Sequence, residues 1–396
     1  MAKLSDAPSR GAAPLLTRRP SGHVWAVDVV RLLTFSAVIA VHTLAYTQDP
    51  GNEGVNGLML LLQFGRDVFF SITGFVLVYS TIGKPVATLP FWRKRMTYVV
   101  VPYLTWSLLY YGVDLIIAPY PAFSWRDLGM DVVDGNAFYH LYFLLVSMQL
   151  YLVFPLLVRF VRATAHKAGW VLLGVGALNV AWIGLLEYHP VPHGSASWLW
   201  NHAYEILPTY AIYVLAGCYG ALYLPRLQSA LRRRPGRAVA AAAGLIGAAL
   251  GAYALQLSSY IPRVAGSPIQ PIMVLSCAAA VILVGLVATR WADGPRRGQA
   301  QVETGSDISF GVYLAHPLIL TLLLNNGLAW TRHDLNPALA TILAFVGTVA
   351  GASGLSWAAR RTPLALPLTG RPWRRSPGPA AVAATRAGTP VGVTAG

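Results

Sequence analysis

Charged side chains are scarce in this sequence. Of 396 residues, 11% are charged and 55% are hydrophobic, against about 25% charged in a soluble globular domain. That shortage excludes an ordinary soluble enzyme and points to a chain whose solvent is largely lipid. Cysteine is nearly absent too. Cys218 and Cys277 both fall inside apolar stretches, which excludes a disulfide framework or a thiolate metal cluster. Acidic residues number 15 against 30 Lys and Arg, an imbalance that raises the question of nucleic acid. No connecting segment is long enough for a soluble domain, and no internal repeat is found, which counts against a typical transporter.

What the chain does have is long apolar runs. A hydrocarbon core about 30 Å thick takes about 20 helical residues to cross. Ten such runs lie at 24–46, 58–82, 96–118, 138–158, 169–187, 204–224, 238–257, 269–289, 308–328 and 338–358. The fold class is therefore all-α, a polytopic membrane protein with ten spans. With the N-terminus placed in the cytoplasm, 25 Lys and Arg fall in inner segments and 3 in outer loops, while Arg31 and Arg66 lie within spans. This is the positive-inside distribution, and it puts both termini in the cytoplasm and the protein in the plasma membrane as a multi-pass chain. The positive charge is topological, so no nucleic-acid partner is expected. Basic stretches such as 226–237 suit the headgroups of the bilayer. Residues 1–22 and the Pro-, Gly- and Ala-rich tail 361–396 are expected to be disordered cytoplasmic segments flanking one transmembrane domain, 23–360.

The first span, AVDVVRLLTFSAVIAVHT (26–43), carries Asp28, Arg31 and His42. At 100° per residue, Arg31 and His42 differ by about 20° around the helix and stand about 16 Å apart along it, and Asp28 is about 60° from Arg31. All three share one face. Asp28 near the interface reads equally as an anchor paired with Arg31. A histidine this deep marks a functional site. The second span contributes Arg66 and Asp67. Helical rise places Asp67 about 21 Å and His42 about 27 Å above the inner boundary, so two readings stand: Asp67 orients the His42 imidazole, or Arg66 and Asp67 form a pair of their own. Before the third span, Arg93, Lys94 and Arg95 satisfy topology and also suit a phosphate-bearing ligand. His140, Glu187, His189, His193 and His202 fall on the outer side. No two of them have ligand spacing on a defined helix face, so no metal is expected.

These segments together resemble the acyltransferase 3 family of membrane-bound acyltransferases, from about residue 23 to 360. Arg31 and His42 match an arginine followed after ten residues by histidine. RDVFFSITGFVL (66–77), HLYFLLVSMQLYLVFPLL (140–157) and SDISFGVYLAHPLI (306–319) resemble further family segments, with Tyr98 where many members have a second arginine after Arg95. The resemblance implies transfer of an acyl group, typically acetyl, from acyl-CoA to a hydroxyl of a sugar, envelope glycan or glycosylated metabolite. His42 would be the general base, assisted by Asp67 and Arg31. Arg31, Arg93 and Arg95 would bind acyl-CoA, and His140 and Tyr313 the acceptor. The competing function is a polytopic transporter or exporter, with the same in-membrane charges lining a path.

Overall fold

The computed structural model describes residues 23–117, 122–194, 196–327 and 336–373. The expected disorder of 1–22 and 374–396, like Trp330 and Arg332 of the last outer loop, lies outside the described residues. Among the described residues every regular element is helical, and nine helices are long and apolar enough to cross a membrane.

In chain order, α1 is Trp25–Thr47, α2 Glu53–Leu62, α3 Phe64–Thr81, α4 Thr88–Ile117 and α5 Trp125–Asp134. Next come α6 (Tyr142–Ala163), α7 (Ala168–Tyr188), α8 (Ala196–Asn201), α9 (Ala211–Leu222) and α10 (Leu224–Arg233). The chain continues through α11 (Pro235–Gln256), α12 (Pro262–Ala265), α13 (Met273–Asp293), α14 (Gln299–Leu322), α15 (Pro337–Ala359) and α16 (Ala365–Thr369). Helices α2 and α3 form one span, Glu53–Thr81.

Two expected boundaries shift, and a third gains a bend. The sixth run, 204–224, holds Leu207–Leu222, after which the chain turns by 85° into α10. Pro225 sits in the first turn of α10, where its missing N–H costs nothing, and Arg226, Arg232 and Arg233 make this short helix strongly basic. The third span begins earlier than 96, because α4 starts at Thr88 and carries Arg93–Arg95 on the helix itself. Finally, the packed domain does not stop at 360. In α16, Ala365 and Thr369 are buried, and Leu368 O accepts a 3.1 Å bond from Trp106 Nε1 of α4. The chain leaves α16 through Gly370 at φ 63°, where an added Cβ would lie 2.4 Å from Phe310.

Helix α1 is the hub, touching α3, α13, α14 and α15. Its first turn is tied down by Ser306 Oγ of α14, which donates to Asp28 Oδ1 at 2.6 Å, and by His23, which also bonds Asp28. Next to Ser306, Asp307 accepts from Arg360 at 2.9 Å and Arg371 at 3.0 Å. Both described ends of the chain therefore lie at the same end of the bundle, as ten crossings require when the bent pair Leu207–Leu222 and α10 is counted with the nine. Arg296, over the Trp25 ring at 5.2 Å, lies there as well. We call this the basic end.

The tightest helix contact is between α3 and α9. Ser71 Oγ donates to Tyr213 O at 2.8 Å, and a Cβ on Gly217 would sit 1.8 Å from Ser71 O. Small residues let backbones approach in this way where lipid supplies no hydrophobic drive between helices. Gly217→Ala is expected to cost at least about 1–3 kcal/mol, read as a lower thermal midpoint in detergent. Gly247→Ala, where an added Cβ meets nothing within 4 Å, is the control and should leave the midpoint unchanged or raised.

Candidate active site

The polar face of α1 meets two different environments. At its far end His42 lines a cavity of about 880 Å³. Around the ring stand Tyr139, at 4.6 Å between centroids, and His316 of α14, at 5.4 Å. His140, in the turn before α6, also lines the cavity, and its ring is 5.5 Å from His316. Three histidines from three separate segments thus converge. Both ring nitrogens of His140, and Nε2 of His316, are buried with no hydrogen-bond partner among the described residues. Orphaned buried nitrogens are rare in native structures and call for a functional account.

The position of His316 follows from the residue beside it. Pro317 has no N–H, so the carbonyl four residues earlier, that of Tyr313, loses its helical donor. His316 Nδ1 supplies the missing bond, donating to Tyr313 O at 2.6 Å. A carbonyl only accepts, so the proton is on Nδ1 and Nε2 carries the lone pair. One step further on, the Tyr110 hydroxyl accepts from Leu318 N at 3.2 Å and donates to Leu314 O at 2.7 Å. The proline break is thereby filled from α4, and the ring is set in one tautomer. Tyr313 lines the cavity too. Its hydroxyl donates to His140 O at 2.7 Å and fixes the turn that presents His140.

Asp67 does not meet His42. Its carboxylate, fully buried, accepts from Arg66 Nε at 2.9 Å and Nη2 at 3.3 Å, and takes a 3.4 Å contact from Cys277 Sγ. Helical rotation explains this. Gly65 is the residue that faces α1, where an added Cβ would lie 2.7 Å from Val38 and 2.9 Å from Thr34 O. Two positions on, Asp67 is turned about 200° away, toward α13. Of the two readings left open by the sequence, the Arg66–Asp67 pair is the one formed. Arg66 is thereby positioned in the cavity wall, with Nη2 also donating to Pro268 O at 2.9 Å.

At the basic end, Arg31 has Asp28 Oδ1 at 3.9 Å, and its other charged neighbours are Arg371 and Arg95. Arg93 and Arg95, two positions apart on α4, point about 200° from each other. Arg93 is exposed while Arg95 is partly buried near Tyr151. The expected cluster of Arg31, Arg93 and Arg95 is thus replaced by Arg31, Arg95 and Arg371, with Arg93 outside it. Neither Arg371 nor His316 was among the site residues expected from sequence. The His-Pro dipeptide inside a helix was the signal for His316.

The family described as an acyltransferase domain, acyltransferase 3, matches residues 24–357. The chain belongs to this family and is a membrane acyltransferase. No curated protein and no solved structure matches it.

Because Asp67 is the counter-ion of Arg66, Asp67→Asn is expected to lower stability by about 3–5 kcal/mol, measured by thermal or denaturant unfolding in detergent. Unchanged unfolding with slower turnover would return Asp67 to the reaction.

Proposed function

From this family membership we propose that the protein moves an acyl group, typically acetyl, from acyl-CoA to a hydroxyl of a sugar, envelope glycan or glycosylated metabolite. The basic end faces the cytoplasm of a plasma-membrane protein, and the cavity opens toward the other side. One observation carries the reading. On one helix face, about 16 Å apart, Arg31 stands among Arg95 and Arg371 and His42 stands in the wall of a cavity of about 880 Å³.

In this reading the phosphates of the donor bind among Arg31, Arg95 and Arg371, since guanidinium groups match phosphate oxygens in bidentate geometry. The pantetheine arm follows the polar face of α1, and the thioester reaches His42. The acceptor hydroxyl enters from the cavity. As its oxygen attacks the thioester carbonyl, neutral His42 takes the hydroxyl proton, the carbon–sulfur bond breaks, and the imidazolium returns the proton to the departing thiolate. A neutral imidazole, with one ring nitrogen able to accept, is suited to take the hydroxyl proton. His140, with both nitrogens unpartnered, is placed to hold the acceptor hydroxyl, and Tyr313 holds the turn that carries it. Arg66 and the aromatic wall of Phe69, Tyr139 and Tyr142 suit a sugar ring.

The test uses purified protein with radiolabelled acetyl-CoA and a panel of glycan acceptors. His42→Ala is expected to lower kcat about 10²–10⁴-fold while donor binding survives. Arg31→Ala is expected to raise KM for acetyl-CoA at least about tenfold, the loss of roughly 1.4 kcal/mol of binding. Full transfer by His42→Ala would remove it as the base, and an unchanged donor KM in Arg31→Ala would remove Arg31 from the donor site.

A further inference from the structure

Beyond the histidine cluster, three metal-ligating side chains from separate segments meet at the edge of the same cavity. Asp134 is the last residue of α5, His202 follows α8, and Glu205 closes the short turn Ala203–Glu205. One ligand atom from each lies within 4.8 Å of the others. Among the described residues this is the one such grouping, so the nitrogens of His42, His140 and His316 do not converge to that degree.

Three features distinguish the trio from a chance pairing of surface charges. First, His202 is oriented. Its Nδ1 bonds Trp198 O at 2.8 Å, and since a carbonyl only accepts, the proton is on Nδ1 and the Nε2 lone pair is available. Metal-binding imidazoles are typically held by a second-nitrogen bond of this kind. Nε2 is the atom that faces Asp134 Oδ2, at 3.7 Å, too far for a hydrogen bond but close enough for one ion to hold both at about 2.0–2.2 Å.

Second, the two carboxylates lack a fixed cation. Among the described residues no Lys or Arg forms an ion pair with either, and His202 is the partner recorded for Asp134. Third, the segment is held firmly. Gln149 Nε2 donates to Glu205 O at 2.5 Å while its Oε1 accepts from Leu207 N at 2.9 Å, and Thr209 Oγ1 donates to Ala203 O at 2.6 Å.

We propose that Asp134, His202 and Glu205 form a divalent-cation site on the rim of the cavity. One imidazole with two carboxylates suits a first-row ion such as Zn²⁺ or Mn²⁺ better than Ca²⁺ or Mg²⁺, which prefer all-oxygen sets. Three protein ligands leave coordination positions open, and Glu205, with Asn136 and Asn201, lines the cavity. The site borders the space assigned above to the acceptor, yet ion binding requires neither donor nor acceptor and stands independently of that assignment.

The full chain, purified in detergent and stripped with a chelator, is titrated with Zn²⁺ and with Mn²⁺ against a competing chromophoric chelator at about pH 7, with Ca²⁺ and Mg²⁺ as further arms. One saturable equivalent of Zn²⁺ or Mn²⁺ is expected. It should weaken at least about tenfold in His202→Ala and in Glu205→Gln, and persist in a His189→Ala, His193→Ala double variant. The proposal is overturned if the wild-type chain takes up no saturable equivalent, or if His202→Ala binds as tightly as wild type. Should either single variant fail to elute as a monodisperse species, the wild-type stoichiometry and Asp134→Asn decide the matter on the same criteria.

Discussion

Everything in this fold depends on keeping one helix face out of lipid. On the insertion scale a central Arg costs roughly 2.5–3.5 kcal/mol, and each Leu, Ile, Val or Phe returns about 0.3–0.6. A helix bearing Asp28, Arg31 and His42 therefore crosses the bilayer comfortably only when its polar face meets protein. Ser306 and His316 of α14, Tyr139 before α6 and Arg95 of α4 stand against that face. Asp28 spends its acceptors on Ser306 and His23. Arg31 stands among other arginines as well as Asp28, an arrangement that favours an anionic occupant.

The opposite end of the face shows how the chain turns a local defect into a site. Pro317 opens the hydrogen-bond ladder of α14, His316 and Tyr110 close it again, and in doing so they lock one imidazole beside His42. Tyr313, one turn back, fixes the backbone of His140. The wall of the cavity is thus assembled from a transmembrane proline break and the turn it braces. Repair at the same place from α4 keeps the backbone satisfied, as a proline in a membrane helix demands.

Much of this was legible in the sequence. Apolar runs gave the spans, and the eleven-residue interval between Arg31 and His42 gave a shared face, because both arguments use only helical geometry and hydrophobic length. Rotation about a second helix was not legible. Whether Asp67 faced α1 hinged on which residue of α3 made the contact, and Gly65 took that place because only a glycine lets Val38 and Thr34 come so close. Arg371 was hidden for another reason: a Pro- and Gly-rich tail reads as disordered until α16 is seen to pack on α4. The Asp134, His202 and Glu205 grouping was invisible because two of its members sit in loops and 3₁₀ turns, where spacing along the chain says nothing about proximity. His140 and Tyr313, inferred from family segments, do reach the cavity together.

The central claim is that the polar face of α1 carries a thioester from the basic end to His42. A structure of the chain bound to a non-transferable thioether analogue of acetyl-CoA tests this most directly. The account predicts the phosphates among Arg31, Arg95 and Arg371 and the acyl carbon roughly 4–6 Å from the His42 ring, leaving room for a hydroxyl within hydrogen-bond reach of the ring and about 3–3.5 Å from that carbon. An analogue bound with its acyl end away from His42, or lodged elsewhere on the bundle, would contradict it.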